Sequence, residues 1–123
     1  MAHVIDGDGI AFSGIEVRMQ GIAAPEDNGA RREPGGPEST AHLRALAEGR
    51  FVACRLDGTR TRGRPVGICS IDGIDLGEAQ VESGHARDCR HFSKGRYAEA
   101  EHRARTAGRD LAAIYSLPGY CVP

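Results

Sequence analysis

The strictest constraint on the fold is an alternating pattern at residues 15–20. Ile15, Val17 and Met19 are apolar and alternate with polar residues, a period typical of a β-strand with one buried face. Apolar runs predict four further strands, at 4–6, 10–12, 51–56 and 65–71. Strands this short, separated by glycine-rich turns in a chain of 123 residues, indicate one domain over 1–123 with a large β component.

Helices are predicted where small and apolar residues recur every three or four positions. Pro37 suits the first turn of a helix that ends at Gly49, a second helix covers 76–82, and a third begins at Tyr97 and ends at Gly108. The formal net charge is −1, so the chain has no overall basic field to attract nucleic acid. No apolar run approaches the ~20 residues that span a bilayer, so no membrane span is expected. These patterns alone fit several small α+β domains.

Five charged residues stand where their chemistry suits phosphodiester hydrolysis. Asp6 and Asp8 flank a glycine at the end of the first strand, Arg18 lies on the polar face of the third, and Glu26 follows a proline. Arg64 enters a later strand. Carboxylates bind a hard cation, arginines stabilise charge on phosphoryl oxygens, and a glutamate can orient water. The competing interpretation is a turn aspartate with surface charges.

These motifs, in this order, resemble the staphylococcal nuclease (thermonuclease) family. The resemblance rests on Asp6-Gly7-Asp8, the segment from Arg18 to Glu26, and Gly63-Arg64, and it extends through the predicted helices. It implies an α+β fold dominated by a five-stranded OB-fold barrel with about three helices. It also implies a phosphodiesterase that hydrolyses DNA or RNA.

The resemblance assigns a role to each site residue. Arg18 and Arg64 would bind the phosphoryl oxygens, and Glu26 would activate or position the attacking water. Asp8 and the backbone carbonyl of Ala24 would bind calcium, but Ala23 stands where the family has a second aspartate. Calcium affinity follows the number of charged ligands, so we expect the calcium site to be weak or lost, and with it metal dependence or activity.

Local basic clusters are the candidates for nucleic-acid contacts. Arg60, Arg62 and Arg90 are predicted to contact a DNA or RNA substrate, and a solvated surface is the alternative for each. If the site has degenerated, the alternative function is a nuclease-fold module that binds nucleic acid or serves in an exported assembly or exopolysaccharide-related process. Whether the chain is an enzyme therefore stays open at this point, and we expect a monomer.

The four cysteines lack the close pairing of a zinc site. If 51–56 and 65–71 form a hairpin centred on Thr61-Arg62, Cys54 and Cys69 face each other and can form a disulfide. Cys89 and Cys121 would then form the second and fasten the C-terminal segment; the alternative is four reduced thiols. Disulfides indicate an oxidising compartment, so we expect a secreted or periplasmic protein, exported by a signal peptide that this sequence does not contain.

Overall fold

A computed structural model describes residues 1–123 as a mixed α+β fold built on a curled half-barrel sheet. The strands of this sheet are β1 (His3–Asp6), β2 (Gly9–Phe12), β3 (Ile15–Met19), β5 (Ala53–Thr61), β6 (Arg64–Ile71) and β7 (Ile74–Asp75). The order is β1-β2-β3-β6-β5, with β7 paired to β6. Only the β3–β6 pair is parallel, because α1 lies in the connection that crosses between them.

The five strands predicted from the sequence are all present, with one displaced boundary. The strand expected at 51–56 begins at Ala53 and continues to Thr61. A second, two-stranded sheet is formed by β4 (Ile22–Ala23) and β8 (Arg87–Asp88), and each of these strands has two residues. The sequence analysis did not predict β4, β7 or β8, because two residues are too few to show an alternating pattern.

The chain also contains four α-helices. They are α1 (Gly36–Ala47), α2 (Leu76–Glu82), α3 (Arg90–Ser93) and α4 (Ala98–Thr106). The three predicted helices correspond to α1, α2 and α4, and the single-turn α3 was missed. None of the helices has the length and apolar character needed to cross a lipid bilayer. The chain also contains three short 3₁₀ helices. Two of them come after α4, at Leu111–Ala113 and Gly119–Cys121.

The main core lies between one face of the sheet, α1, α2 and the start of α4. Val17 and Met19 are buried there, and Arg18 points to the other face of β3, as the alternation predicts. Ile15 is the exception, since it begins the strand and is 46% exposed. A second, smaller apolar cluster lies apart from this core and joins Ala23, Cys89, Tyr115 and Cys121. The candidate site lies next to this second cluster.

Candidate functional site

The acidic turn between β1 and β2 places two carboxyl groups side by side. The Asp8 amide donates to Asp6 Oδ1 at 3.2 Å. The turn is held tightly from behind, since a Cβ on Gly7 would lie 1.9 Å from Ser39 Oγ. The amide of Gln80, a fully buried residue, donates to the Gly7 carbonyl at 2.9 Å. The position of the two carboxyl groups is therefore fixed by the core, which rigid binding or catalysis requires.

Asp6 is partly protonated near neutral pH. Burial, the neighbouring charge of Asp8 and a hydrogen bond between the two side chains raise the pKa of Asp6 to about 7, and Glu26 adds to the effect. The sequence analysis treated Asp6 and Asp8 alike, as two carboxylates that flank a turn glycine. The nearby charge of Asp8 makes ionisation of Asp6 costly, so Asp6 keeps its proton to a higher pH than an exposed aspartate does.

Arg18 neutralises the second member of the pair. Its Nη2 lies 3.4 Å from Asp8 Oδ2, and both side chains are nearly buried. The guanidinium also donates to the carbonyls of Met19 and Ile22, at 2.7 and 2.9 Å. Burial alone would lower the pKa of Arg18, but Asp8, Tyr120 and Asp6 together raise it. Most donors of Arg18 are therefore bound within the chain, and only part of its fork remains for a ligand.

The segment predicted to carry the metal ligands is shaped by the C-terminal part of the chain. The Ala24 amide donates to Asp8 Oδ2 at 3.3 Å, so the backbone closes over the acidic turn. Ala23 is 1% exposed, and its methyl group packs with Tyr115 and the Cys89–Cys121 pair. The place where a second metal-binding aspartate was expected is thus apolar and filled.

Glu26 lies at the rim of the site. Its amide donates to Glu33 Oε1, and its carbonyl accepts from the Glu33 amide, both at 2.9 Å. Gly36 must be a glycine, because a Cβ there would lie 2.1 Å from the Glu26 carbonyl oxygen. The backbone of Glu26 is therefore fixed while the residue is exposed, and its charge reaches Asp6.

Arg64 lies on the same face of the sheet as Arg18. Arg18 is paired with Val66 in the parallel β3–β6 ladder, and Arg64 precedes Val66 by two residues. Because side chains alternate along a strand, both arginines project to the same side. Arg64 Nη1 lies 3.5 Å from Glu16 Oε1, and the Arg64 side chain is 25% exposed. The structure thus brings together the two arginines that the sequence singled out.

The C-terminal segment forms a wall of the site that sequence reasoning missed. Tyr115 is buried in the small apolar cluster, and Arg87 donates to its carbonyl at 3.3 Å. Tyr120 lies beside the Arg18 guanidinium and helps to raise its pKa. Burial, Tyr120 and Asp8 raise the pKa of Tyr115. No local pattern marks these tyrosines; only the predicted Cys89–Cys121 bond connects this segment to the site.

Both predicted disulfides are present. Cys54 and Cys69 are directly opposed in the β5–β6 hairpin, with Cα atoms 4.0 Å apart. Cys89 and Cys121 are bonded with Cα atoms 4.5 Å apart, and no free cysteine remains. The hairpin turn lies at Arg62-Gly63, next to the predicted centre.

The arginines predicted to bind nucleic acid are exposed but belong to separate elements. Arg60 and Arg62 lie at the end of the β5–β6 hairpin, where Arg60 donates to the Gly63 carbonyl at 2.7 Å. Arg90 begins α3. Arg87, by contrast, is bound to Glu101 at 3.4 Å and is only 13% exposed, so it belongs to the framework.

A second polar cluster lies behind the acidic turn. The rings of His42 and His85 stack with centroids 4.4 Å apart, and Ser83 Oγ lies 2.7 Å from His85 Nδ1. Burial, followed by the charge of His42, lowers the pKa of His85. Gln80 connects this pair to the turn, because its Oε1 accepts from His42 while its Nε2 donates to Gly7. The cluster opens onto a groove of about 470 Å³ that Arg109 also lines.

The residues present do not fit a dedicated calcium site. No group of three or more His, Cys, Asp or Glu side chains converges in a geometry suited to a metal ion. One oxygen of Asp8 is already bound by Arg18 and by the Ala24 amide. The methyl group of Ala23 occupies the place of a second carboxylate. Calcium binds tightly only where several oxygen ligands, some of them charged, surround it.

Comparison with known proteins adds one relative. No protein-family model matches the chain. The chain is 35% identical over 118 residues to the succinoglycan biosynthesis protein ExoI of Rhizobium meliloti (strain 1021), a match that covers 89% of this chain. The chain spans 62% of the length of that relative, which therefore has further sequence outside the match.

Proposed function

We propose that this chain is a staphylococcal-nuclease-like OB-fold module that binds the phosphodiester backbone of DNA or RNA and hydrolyses it weakly, with little dependence on metal. The observation that carries the proposal is the placement of Arg18 and Arg64 on one face of the sheet, with Asp8 bonded to Arg18 and Glu26 within electrostatic reach of Asp6. The curled sheet order, with its parallel β3–β6 closure, supports the OB-type assignment.

In the proposed reaction the chain supplies positioning and charge. Arg64, whose contact with Glu16 is long and partly exposed, rotates to bind the phosphoryl oxygens, and the free part of the Arg18 fork binds beside it. Glu26 orients the attacking water. As the new P–O bond forms, the water gives its proton to Glu26, and as the old P–O bond breaks, protonated Asp6, whose pKa is about 7, gives its proton to the leaving oxygen. Negative charge on the phosphoryl oxygens grows toward the transition state. The arginine donors therefore bind the transition state more tightly than the bound substrate.

A nuclease assay tests this proposal directly. Purified protein is incubated with single-stranded and plasmid DNA, in chelator or in a calcium titration. We expect slow cleavage in chelator and less than a few-fold gain up to millimolar calcium. Arg64→Ala and Glu26→Gln should each lower the single-turnover rate by about 10²–10³. Arg55→Ala, an exposed arginine on β5, is the matched control. Cleavage that none of these variants changes would reflect a contaminating nuclease and refute the proposal.

A second candidate function is a role in exopolysaccharide production. The observation that favours it is the similarity to the succinoglycan biosynthesis protein. Together with the two disulfides, it suggests an exported module that acts where polysaccharide is assembled. A Rhizobium meliloti strain that lacks the relative would be supplied with this chain fused to the relative's remaining sequence. Restored succinoglycan yield would support the role, and equal restoration by Arg64→Ala would separate it from the phosphodiester site.

A further inference from the structure

The groove behind the acidic turn exposes one ring nitrogen of each of two histidines. His42 on α1 and His85 after α2 line this groove, and their rings stack with centroids 4.4 Å apart and planes 12° apart. Each ring forms its hydrogen bonds through Nδ1 alone. The only buried side-chain polar atoms without a hydrogen bond are Gln20 Oε1 and Thr40 Oγ1, so the Nε2 atoms of both rings are open to solvent.

The hydrogen bonds of Gln80 fix the tautomer of His42. Gln80 Nε2 donates to the carbonyls of Gly7 and Ser39, at 2.9 and 3.1 Å, so the amide hydrogens of Gln80 face these two acceptors. Gln80 Oε1 can only accept, and the hydrogen in its bond with His42 Nδ1 therefore belongs to the ring. In the neutral imidazole of His42 the lone pair is then on Nε2.

Ser83 fixes the tautomer of His85 in the same way. The single hydroxyl hydrogen of Ser83 is donated to the Gln80 carbonyl at 3.0 Å, so Ser83 Oγ accepts from His85 Nδ1 at 2.7 Å. Burial, followed by the charge of His42, lowers the pKa of His85, so this ring is unprotonated at neutral pH. Both rings thus present an Nε2 lone pair that no group of the chain uses.

Histidines that bind metal ions share this arrangement. Their Nδ1 hydrogen is donated to an oxygen of the protein, which holds the ring in place and makes Nε2 more basic. Rotation about the bond between Cβ and a histidine ring has a broad minimum, so two stacked rings can turn their Nε2 atoms toward one ion. Imidazole nitrogen suits zinc, copper and nickel, whereas magnesium and calcium prefer oxygen ligands.

The charges around the groove are balanced. Arg109 donates through Nε and Nη2 to the Glu82 carbonyl, at 3.2 and 3.1 Å. The Glu82 carboxylate is bound by Arg103 Nε at 2.6 Å. The carboxylate of Glu38 acts on His85 in favour of positive charge. A cation at the two Nε2 atoms therefore meets no net positive charge.

We propose that His42 and His85 bind one divalent transition-metal ion of the zinc, copper and nickel class through their Nε2 atoms, with water completing the coordination. Two protein ligands make an exchangeable site, because a structural zinc site uses four. The ion joins α1 to the segment after α2 and so supports Gln80 behind the acidic turn. This site is separate from the phosphodiester site and does not depend on the proposed function.

Isothermal titration calorimetry of the untagged, metal-free chain tests the proposal. Wild type should bind one Zn²⁺ ion per chain, and Mg²⁺ should give no binding heat. Ser83→Ala should weaken Zn²⁺ binding by about 10–100-fold, the usual cost of losing the hydrogen-bond partner of a metal-bound histidine. His42→Ala and His85→Ala should each weaken it at least as much. His91→Ala and His102→Ala, at exposed histidines, are the matched controls, and no free thiol competes for the ion.

Heteronuclear NMR of the imidazole nitrogens tests the same site without a substitution. The metal-free spectrum should show the hydrogen on Nδ1 of His42 and of His85, and Zn²⁺ should shift the Nε2 signals of these two rings more than those of the other three histidines. Circular dichroism melting checks that each metal-free variant is folded. Zn²⁺ should raise the Tm of wild type but not that of His42→Ala.

Three outcomes would overturn the proposal. Wild type that does not bind Zn²⁺ at millimolar concentration has no such site. Equal binding by wild type, His42→Ala and His85→Ala would place the ion elsewhere. NMR shifts spread evenly over all five histidines would mean an adventitious ion only. None of these outcomes affects the nuclease test, in which cleavage is measured in chelator.

Discussion

The two disulfides hold two regions of very different character. Cys54–Cys69 joins β5 to β6, strands that are already paired along most of their length, and β5 is largely exposed. Cys89–Cys121 joins the residue before α3 to a segment that pairs with no strand and is held by a small apolar cluster. The first bond reinforces an arrangement that the backbone already makes. The second determines where Tyr115 and Tyr120 lie, and so shapes the candidate site.

The largest effect is expected from removing the buried disulfide. The Cys89→Ala/Cys121→Ala variant should lose about 4 kcal/mol of unfolding free energy, as expected for closing a loop of 32 residues. The freed segment should also expose Tyr115. Urea unfolding measures the first effect, and acrylamide quenching of tyrosine emission measures the second. A loss below about 1 kcal/mol would mean that the apolar cluster alone fixes the segment.

A charge at position 23 tests how firmly the small cluster is packed. Ala23→Asp should cost about 3–4 kcal/mol of unfolding free energy, because its carboxylate would be buried against Tyr115 and the disulfide. Calorimetry should detect no calcium binding tighter than millimolar. Ala53→Asp, at an exposed position on β5, is the control and should be nearly neutral. Micromolar calcium affinity in Ala23→Asp would show that the apolar cluster rearranges at little cost and that the new carboxylate completes a calcium site.

Removing the hairpin disulfide should have a smaller and purely local effect. Cys54→Ala/Cys69→Ala should lose about 3 kcal/mol, since the sequence separation is 15. Oligonucleotide affinity should not change, in contrast to the Cys89→Ala/Cys121→Ala variant. The comparison of the two regions would be wrong if both variants lost affinity equally.

The smallest effect concerns the aspartate pair, which depends on neither disulfide. The pKa of Asp6 is higher in the folded chain, about 7, than its ordinary value of 3.8, so the folded state binds more protons in this range. Its contribution to stability is therefore present below pH 4 and is lost as the pH rises from about 4 to 7. Asp6→Asn should remove this loss and raise the unfolding free energy by about 2 kcal/mol at pH 8, roughly half of what the full shift implies, because solvent screens a carboxyl that is partly exposed. Urea unfolding at pH 4 and pH 8, in chelator, measures the difference. An equal effect at both pH values would mean that folding does not shift the pKa of Asp6.

The sequence predicted the elements that local pattern can specify. The alternation at 15–20 predicted β3 and the outward direction of Arg18, and Pro37 and Gly49 marked the ends of α1. The mirrored positions of Cys54 and Cys69 about a turn predicted their opposition, because a hairpin register follows from its turn. Two-residue strands and a single-turn helix were missed, since they carry no periodicity.

The amino-acid sequence specifies the reactive groups and the strands that carry them, including the outward direction of Arg18 on β3. Arg64 shares that face because of the parallel β3–β6 register, which the sequence analysis did not predict. The tertiary structure alone decided what those groups contact. Burial beside Asp8 raises the pKa of Asp6. The Arg18 guanidinium donates to the carbonyls of Met19 and Ile22. Tyr120 influences the pKa of Arg18 although the two residues are about a hundred positions apart in the chain. Contacts of this kind depend on distance and desolvation between remote segments, and no local pattern in a single sequence encodes either.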